Sequence, residues 1–479
     1  MGFSVAALPF KTRRLPDESL IAISESGDYV FLKDGELERL QTRPETLSLN
    51  RQADLLSRFF LRSNSPIPGS RRLLKSRRAA RRETISGGPS LHIIVPTLQC
   101  AHSCRYCQVS RALDDAGHTL SIDDLNKTCD SIFESSSASL TVEFQGGDPL
   151  LRFDLVKHAI LRINARNERE KRAIRFVVAS TLHQLTSDMC AFFQVHRVCV
   201  STSIDGPAVL HNRNRPTPTR DAYERTMAGI SLARNTLGHD SVAALMTTTK
   251  ASLHTPEAIV DEYVRLGFRD IFLRPLSAYG FAKRNQATLA YSSDDFREFY
   301  ERAFARILHW NRIGIPLREV YASIILNKIL SPFDSGYVDL QSPTGAGLGV
   351  VVYNYDGYVY PSDEARMLAE TGDTSLRLGR IGETLASLLD SPVQQNLIRA
   401  SLIEQTPGCS TCAYNQFCAP NPVDAQAQFG TPFAPVAATE HCQRHMWLFD
   451  SFYVRLSQAD DQTLDLFHQW AMPAGMVSR

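Results

Sequence analysis

The chain has 479 residues, more than one hydrophobic core usually serves, so two or three domains are expected. Fifty-two Lys and Arg stand against 51 Asp and Glu, and this balance excludes a global field that would draw the protein to nucleic acid or an anionic membrane surface. The start, MGFSVAALPFKTRRLPDES, shows no cleavage pattern, and no apolar run of about 18 residues follows, so the expectation is a cytoplasmic protein with neither nucleic-acid nor membrane partners.

In chain order, residues 1–65 suggest a small module, with strands in SLIAISES and DYVFLKD and a helix in NRQADLLSRFFL. Residues 66–90 carry the basic run RRLLKSRRAARRE and read as a solvated linker or surface helix. From 91 to about 290, strand-like runs (LHIIVPT, SLTVEFQ, IRFVVAS, VCVSTSI, VAALMTTT, DIFLRPL) alternate with helical ones such as DLVKHAILRINAR and TPEAIVDEYVRLG. Six βα units imply an α/β fold with a partial (β/α)6 TIM-like barrel, whose chemistry belongs at the C-terminal ends of the strands. A helical bridge is expected over 291–340, a second cysteine-bearing domain over 341–450 and a helical tail over 451–479.

Seven of the ten cysteines fall into two groups, too few for a disulfide scaffold and better suited to metal or catalysis. Cys129, Cys190 and Cys199 lie in apolar periodic segments and read as packed small hydrophobes. Cys100, Cys104 and Cys107 share one loop just past the first strand, where three thiolates can wrap one face of an iron-sulfur cube. A zinc site would need a fourth ligand, for which His102 could be offered. Cys409, Cys412, Cys418 and Cys442 form the second set, which suits a four-iron cluster or zinc.

The Cys-x-x-x-Cys-x-x-Cys loop, with Tyr106 before its last cysteine, resembles the signature of the radical S-adenosylmethionine (SAM) enzymes. There a 4Fe-4S cluster on three cysteines leaves one iron for the SAM amino and carboxylate groups. EFQGGDPLL is similar to the Gly-Gly-Glu-Pro motif that holds the SAM amino group, which implies cofactor contacts at Gly146, Gly147 and Asp148. STSIDGPAVLHNRNR resembles the sulfatase-maturase-like branch and implies Ser203 and Arg215 at the SAM carboxylate, with Arg213 an equal contender. The second cysteine set resembles the SPASM extension of peptide- and protein-modifying members. Ser362 and Pro422 stand where that extension usually shows further cysteines, which implies one auxiliary 4Fe-4S cluster instead of two. Asp363 falls where relatives carry a carboxylate proposed to take a proton from substrate; its other reading is a hairpin-end Asp making local hydrogen bonds.

Along its whole length the chain resembles the radical SAM maturases of His-Xaa-Ser peptide-modification systems (B component). The resemblance implies a ribosomal precursor peptide with His-Xaa-Ser repeats as substrate, a second radical SAM maturase as neighbour and a reductant such as flavodoxin or ferredoxin. It makes residues 1–65 a candidate precursor-binding module, the other reading being a domain that simply covers the barrel. The alternatives are a sulfatase-maturase-like oxidase that makes formylglycine and a non-catalytic scaffold of the same fold.

Overall fold

The computed structural model describes residues 5–64, 68–114, 116–277 and 279–472. Residues 1–4 of the expected first module, 65–67 at its boundary with the basic segment and 473–479 of the expected tail lie outside the described residues. The chain divides into two compact units, Met1–Ser86 with Ala322–Gly345 and Leu397–Arg479, and Gly87–Tyr321 with Ala346–Asn396. This division does not follow chain order, and it parts the segment 341–450 twice, after residues 345 and 396. Among the described residues no helix is long and apolar enough to cross a membrane.

The first unit opens with β1 (Val5–Ala7), then a three-stranded antiparallel meander of β2 (Phe10–Arg14), β3 (Leu20–Ser24) and β4 (Tyr29–Leu32). A helix over Leu49–Ser57 follows, shorter than the sequence pattern suggests, because Phe59 turns to a positive φ and Leu61–Ser63 pairs with β1 as β5. Val30, Leu32, Leu40, Leu55 and Phe60 give this module its own apolar core. The basic run forms a helix over Ser70–Ala80 with no buried residue, tied by Arg77 to Asp28 at 2.5 Å in the β3–β4 turn. Arg13 on β2 makes a two-pronged bond to Asp450, in the helix Glu440–Gln458, and Tyr414 donates to the same carboxylate. The N-terminal module is thus bonded to the segment carrying the second cysteine set.

The second unit holds the alternating βα units. β6 (Leu91–Thr97), β7 (Ser139–Gly146), β8 (Ala173–Ala179), β9 (Cys199–Ser203) and β10 (Val242–Thr247) are parallel and in sequential order. The expected sixth strand is split: β11 (Asp270–Ile271) pairs with β13 (Arg318–Glu319), while β12 (Leu273–Arg274) continues the sheet beside β10. Buried Glu319 explains the break, since it accepts the Leu273 amide at 3.1 Å and the Tyr300 hydroxyl at 2.7 Å. On the other side β14 (Val350–Tyr353) lies parallel to β6 and leads the hairpin to β15 (Tyr358–Tyr360) and β16 (Gly379–Arg380), making nine strands among the described residues.

Strand alternation assigns the two faces. In β7, Leu140, Val142 and Phe144 are buried, while Thr141, Glu143 and Gln145 on the opposite face are half-buried. Register extends the buried face to His92 and Ile94 of β6 and to Phe176 and Val178 of β8. Thr141, Glu143 and Gln145 thus share one face of β7, and the loop that follows β6 at the C-terminal edge of the sheet carries the first cysteine set.

Candidate active site

β6 runs directly into the loop of Cys100, Cys104 and Cys107, residues that keep part of their surface exposed. Backbone bonds to two distant segments shape this loop. Ser103 donates to the Pro216 carbonyl at 2.9 Å, and the Cys107 carbonyl accepts from Phe281 at 2.8 Å. Asn285 adds its side-chain amide to the Arg105 carbonyl at 2.8 Å. Gly280, with φ +55°, lies so close under the Gln108 carbonyl that no side chain fits.

Burial pushes the Cys104 thiol up to about 12, against the opposing charge of Arg215. Burial also raises Cys100 well above the usual thiol range, and the charges of Asp148, Cys104 and Cys107 add to the effect. In the other unit burial raises Cys418, and the charges of Cys412, Cys442 and Cys409 add to the effect. Among the described residues no three Cys, His, Asp or Glu close on one point as a single ion requires. Each thiolate on an iron-sulfur cube binds a different iron, so cube ligands stand wider apart than zinc ligands. Both sets are all-thiol, a donor chemistry that suits a four-iron cube as well as zinc, and binding would displace protons from these thiols. His102 turns its Nε2 to the His183 ring at 2.9 Å, while its buried Nδ1 has no hydrogen-bond partner.

The loop rests on one carboxylate. Asp205, fully buried after β9, accepts the Tyr106 hydroxyl at 2.7 and 2.8 Å and the Arg215 Nε at 3.2 Å. Arg215 lies 5.2 Å from the centre of the Tyr106 ring, and its terminal nitrogen is 3.9 Å from the Cys104 sulfur. Burial works against the Arg215 charge, but Asp205 keeps the guanidinium protonated far above its ordinary range. Arg213 is exposed, so of the two contenders only Arg215 is at the site.

The structure gives the Gly-Gly-Asp stretch a local use. Gly146 (φ +129°) and Gly147 bring the end of β7 against the backbone of residues 97–99, where a methyl group would strike the carbonyl oxygens of Thr97, Leu98 and Gln99. The Asp148 carboxylate is buried and accepts from Ser180 at 2.7 Å, from the Thr181 hydroxyl at 2.5 Å and from the Leu150 amide at 3.2 Å. These donors fix the end of β7 to the end of β8, so the carboxyl is engaged within the protein. Ser203 ends β9 half-buried at the same edge of the sheet.

Asp363 opens a short helix after the β15 hairpin, and one of its oxygens takes two bonds from fully buried Arg366, at 2.7 and 2.8 Å. Ser362 caps that helix through the Ala365 amide, and Pro422 starts another helix capped by Asn421, so both positions lacking cysteine serve helix ends. The sequence pattern did not single out Glu143, on the polar face of β7. Burial raises its carboxyl and the nearby Asp363 charge adds to this, while Gln145 donates to it at 2.9 Å. Glu143 carries a weak signal, a lone acid in an otherwise apolar alternation. Asp205 was legible only as part of a longer motif.

Residues 94–269 match the family profile described as the Radical SAM superfamily. An uncharacterised protein of Synechocystis sp. is 28% identical over 225 residues, covering 45% of this chain and 55% of that protein. An uncharacterised protein of Methanothermobacter thermautotrophicus is 25% identical over 178 residues, 36% of this chain and 63% of that protein. The chain thus spans between 55% and 63% of the length of these curated relatives. Among solved structures, native anSMEcpe with bound AdoMet superposes with a TM-score of 0.64 at 16% identity, over 77% of this chain and 98% of that one. Streptococcus suis SuiB bound to precursor peptide SuiA gives 0.53 at 15% identity, over 92% of this chain and all of that one. At such identities these likenesses concern the fold.

Replacing Asp205 by Asn keeps shape but strands the buried Arg215 charge, which should cost about 3 kcal/mol. Urea unfolding should show a clearly lower midpoint for Asp205→Asn. Arg213→Gln, at an exposed position, should stay within about 0.5 kcal/mol of the parent. Equal midpoints for all three proteins would mean that the Arg215 charge is compensated elsewhere.

Proposed function

The chain carries a radical SAM domain over residues 94–269, and from that premise we propose that it is a maturase modifying a ribosomally made precursor peptide of the His-Xaa-Ser repeat type. The observation that carries the reading is the three-thiol loop at the C-terminal edge of the parallel sheet, braced from below by Tyr106, Asp205 and Arg215. Cys100, Cys104 and Cys107 would hold a 4Fe-4S cluster with one iron left for SAM; Cys409, Cys412, Cys418 and Cys442 would hold an auxiliary one. When bound, the first cluster and SAM supply a 5'-deoxyadenosyl radical able to take hydrogen from an unactivated carbon.

The chain's own residues orient and shield that chemistry. Gly146 and Gly147 allow backbone to approach the cofactor, and Asp148 acts by anchoring that backbone, since its carboxyl is already engaged. Ser203 and Arg215 address the cofactor carboxylate, Arg215 while still held by Asp205. Asp363, pinned by Arg366 through one oxygen, keeps the other to accept a proton from substrate. The peptide substrate is supported by the fold shared with SuiB, solved with its precursor peptide. A second maturase and a flavodoxin or ferredoxin complete the proposed system. Formylglycine formation on a Cys or Ser remains the alternative with the same fold, and the cysteine-free Ser362 and Pro422 positions weigh against it.

Anaerobic reconstitution should load about eight irons per chain, and the triple variant of Cys100, Cys104 and Cys107 to Ala should keep about four. A parent value near twelve would contradict a single auxiliary cluster.

With a co-expressed precursor peptide, Asp363→Asn should lower the ratio of modified peptide to 5'-deoxyadenosine by about 100-fold or more, because the base is lost while shape is kept. An unchanged ratio would remove Asp363 from the mechanism and leave Glu143 as the carboxylate to test.

A further inference from the structure

The segment Ala322–Gly345 interrupts the second unit in sequence but folds with the first, to which the second cysteine set also belongs. It carries one lysine into that unit's interior. Lys328, in the last turn of the helix Val320–Leu330, keeps only 8% of its surface exposed. Its Nζ donates a hydrogen bond to the Leu340 carbonyl at 3.0 Å, and among the described residues it forms no ion pair. The carboxylate whose charge it feels most, Asp334, is already occupied: it accepts from the Gln341 side chain at 2.5 Å, from the Gly336 amide at 3.0 Å and from the Thr84 amide at 3.1 Å. An ammonium has three donors, and a buried cation answered by one neutral carbonyl lacks its counter-charge.

The surroundings point to where that counter-charge belongs. Lys328 and Cys418 line the same cavity, of about 490 Å³. Two other cations of its wall, Arg78 and Arg82, pair at the exposed rim with Glu25 and Glu404, at 3.6 and 3.4 Å. Arg81 does not: it donates to the Gln416 carbonyl at 3.2 Å and lies 5.3 Å from the centre of the Phe417 ring, on the two residues that precede Cys418. Burial pulls the Lys328 ammonium down to about 8 and the charge of Arg81 adds to this, while Asp334 and Cys418 act the other way. The ammonium in turn opposes the rise of the Cys418 thiol. A metal centre on four thiolates is anionic, and a four-iron cluster becomes more so on reduction. Cations and hydrogen-bond donors beside such a cluster therefore favour its reduced state.

We propose that Lys328 is the buried counter-ion of the auxiliary 4Fe-4S cluster on Cys409, Cys412, Cys418 and Cys442 and raises its reduction potential, with Arg81 adding to the same field from the cavity wall. The proposal rests on the reading of the second cysteine set as a four-iron cluster and adds which residue sets that cluster's hold on an electron.

The test uses the full chain with Cys100, Cys104 and Cys107 changed to Ala, so that only the auxiliary cluster is loaded, and reads its midpoint potential by redox titration followed with electron paramagnetic resonance. Lys328→Met keeps the length of the side chain and removes its charge, and should give a clearly more negative midpoint than this background. Arg81→Met should shift the midpoint in the same direction by less. Lys75→Met, at an exposed position outside the cavity, should leave it unchanged, because solvent and salt screen that charge. A second measurement needs no metal. In the metal-free protein the ammonium is an uncompensated buried charge, so Lys328→Met should unfold in urea at the same midpoint as the metal-free parent or at a higher one. A lower urea midpoint together with an unchanged potential would reduce Lys328 to a brace for the Leu340 carbonyl and overturn the proposal. Uptake of zinc and no iron by the background would overturn the auxiliary-cluster reading and the proposal with it, whereas an iron-loaded background whose potential ignores Lys328→Met would overturn the proposal alone.

Discussion

Asp205 is a carboxylate with no access to water, and a charge so placed persists only if the protein returns the hydrogen bonds that water would have made. It is answered by three elements at once: Tyr106 from the thiol loop, Arg215 from the segment after β9 and, at 3.5 Å, the Thr247 amide at the end of β10. None of the three can move without uncovering a buried charge. The loop that carries Cys100, Cys104 and Cys107 is therefore positioned by electrostatics inside the protein, ahead of any cluster. Arg215 then does double service, neutralising Asp205 and lying beside the Cys104 sulfur.

The same economy governs the neighbouring strand end. Gly146 and Gly147 let β7 press against the start of the loop, and Asp148 bolts that arrangement to Ser180 and Thr181 of the next strand. Three consecutive strands thus end in a bonded set of loops. The polar face of β7 is left with Glu143 and Gln145, groups not consumed by this bracing.

The parallel strands were legible because each is a short apolar run bounded by turn residues, and β6 and β7 fall where the pattern puts them. The spacing of the cysteines was legible because ligand chemistry leaves its mark in one stretch of chain. The split of the sixth strand was not, since it depends on Glu319, some 45 residues further on, whose carboxylate takes the Leu273 amide. The hairpin at 350–360 reads locally as part of a separate domain, yet its β14 backbone completes the sheet at β6, a pairing no local pattern encodes. The distinction between Arg213 and Arg215 likewise required burial, which two arginines one residue apart in sequence do not reveal. Asp148 shows the converse: the motif was visible, but its carboxyl is turned to the protein.

The central claim is that the three-thiol loop supports reductive cleavage of SAM. The direct measurement is 5'-deoxyadenosine formed by the reconstituted, dithionite-reduced protein supplied with SAM, compared with Cys104→Ala prepared in the same way. The account predicts turnover-dependent 5'-deoxyadenosine from the parent and none above background from the variant, with both proteins folded. Equal amounts from the two, or none from a parent carrying its full iron complement, would contradict it.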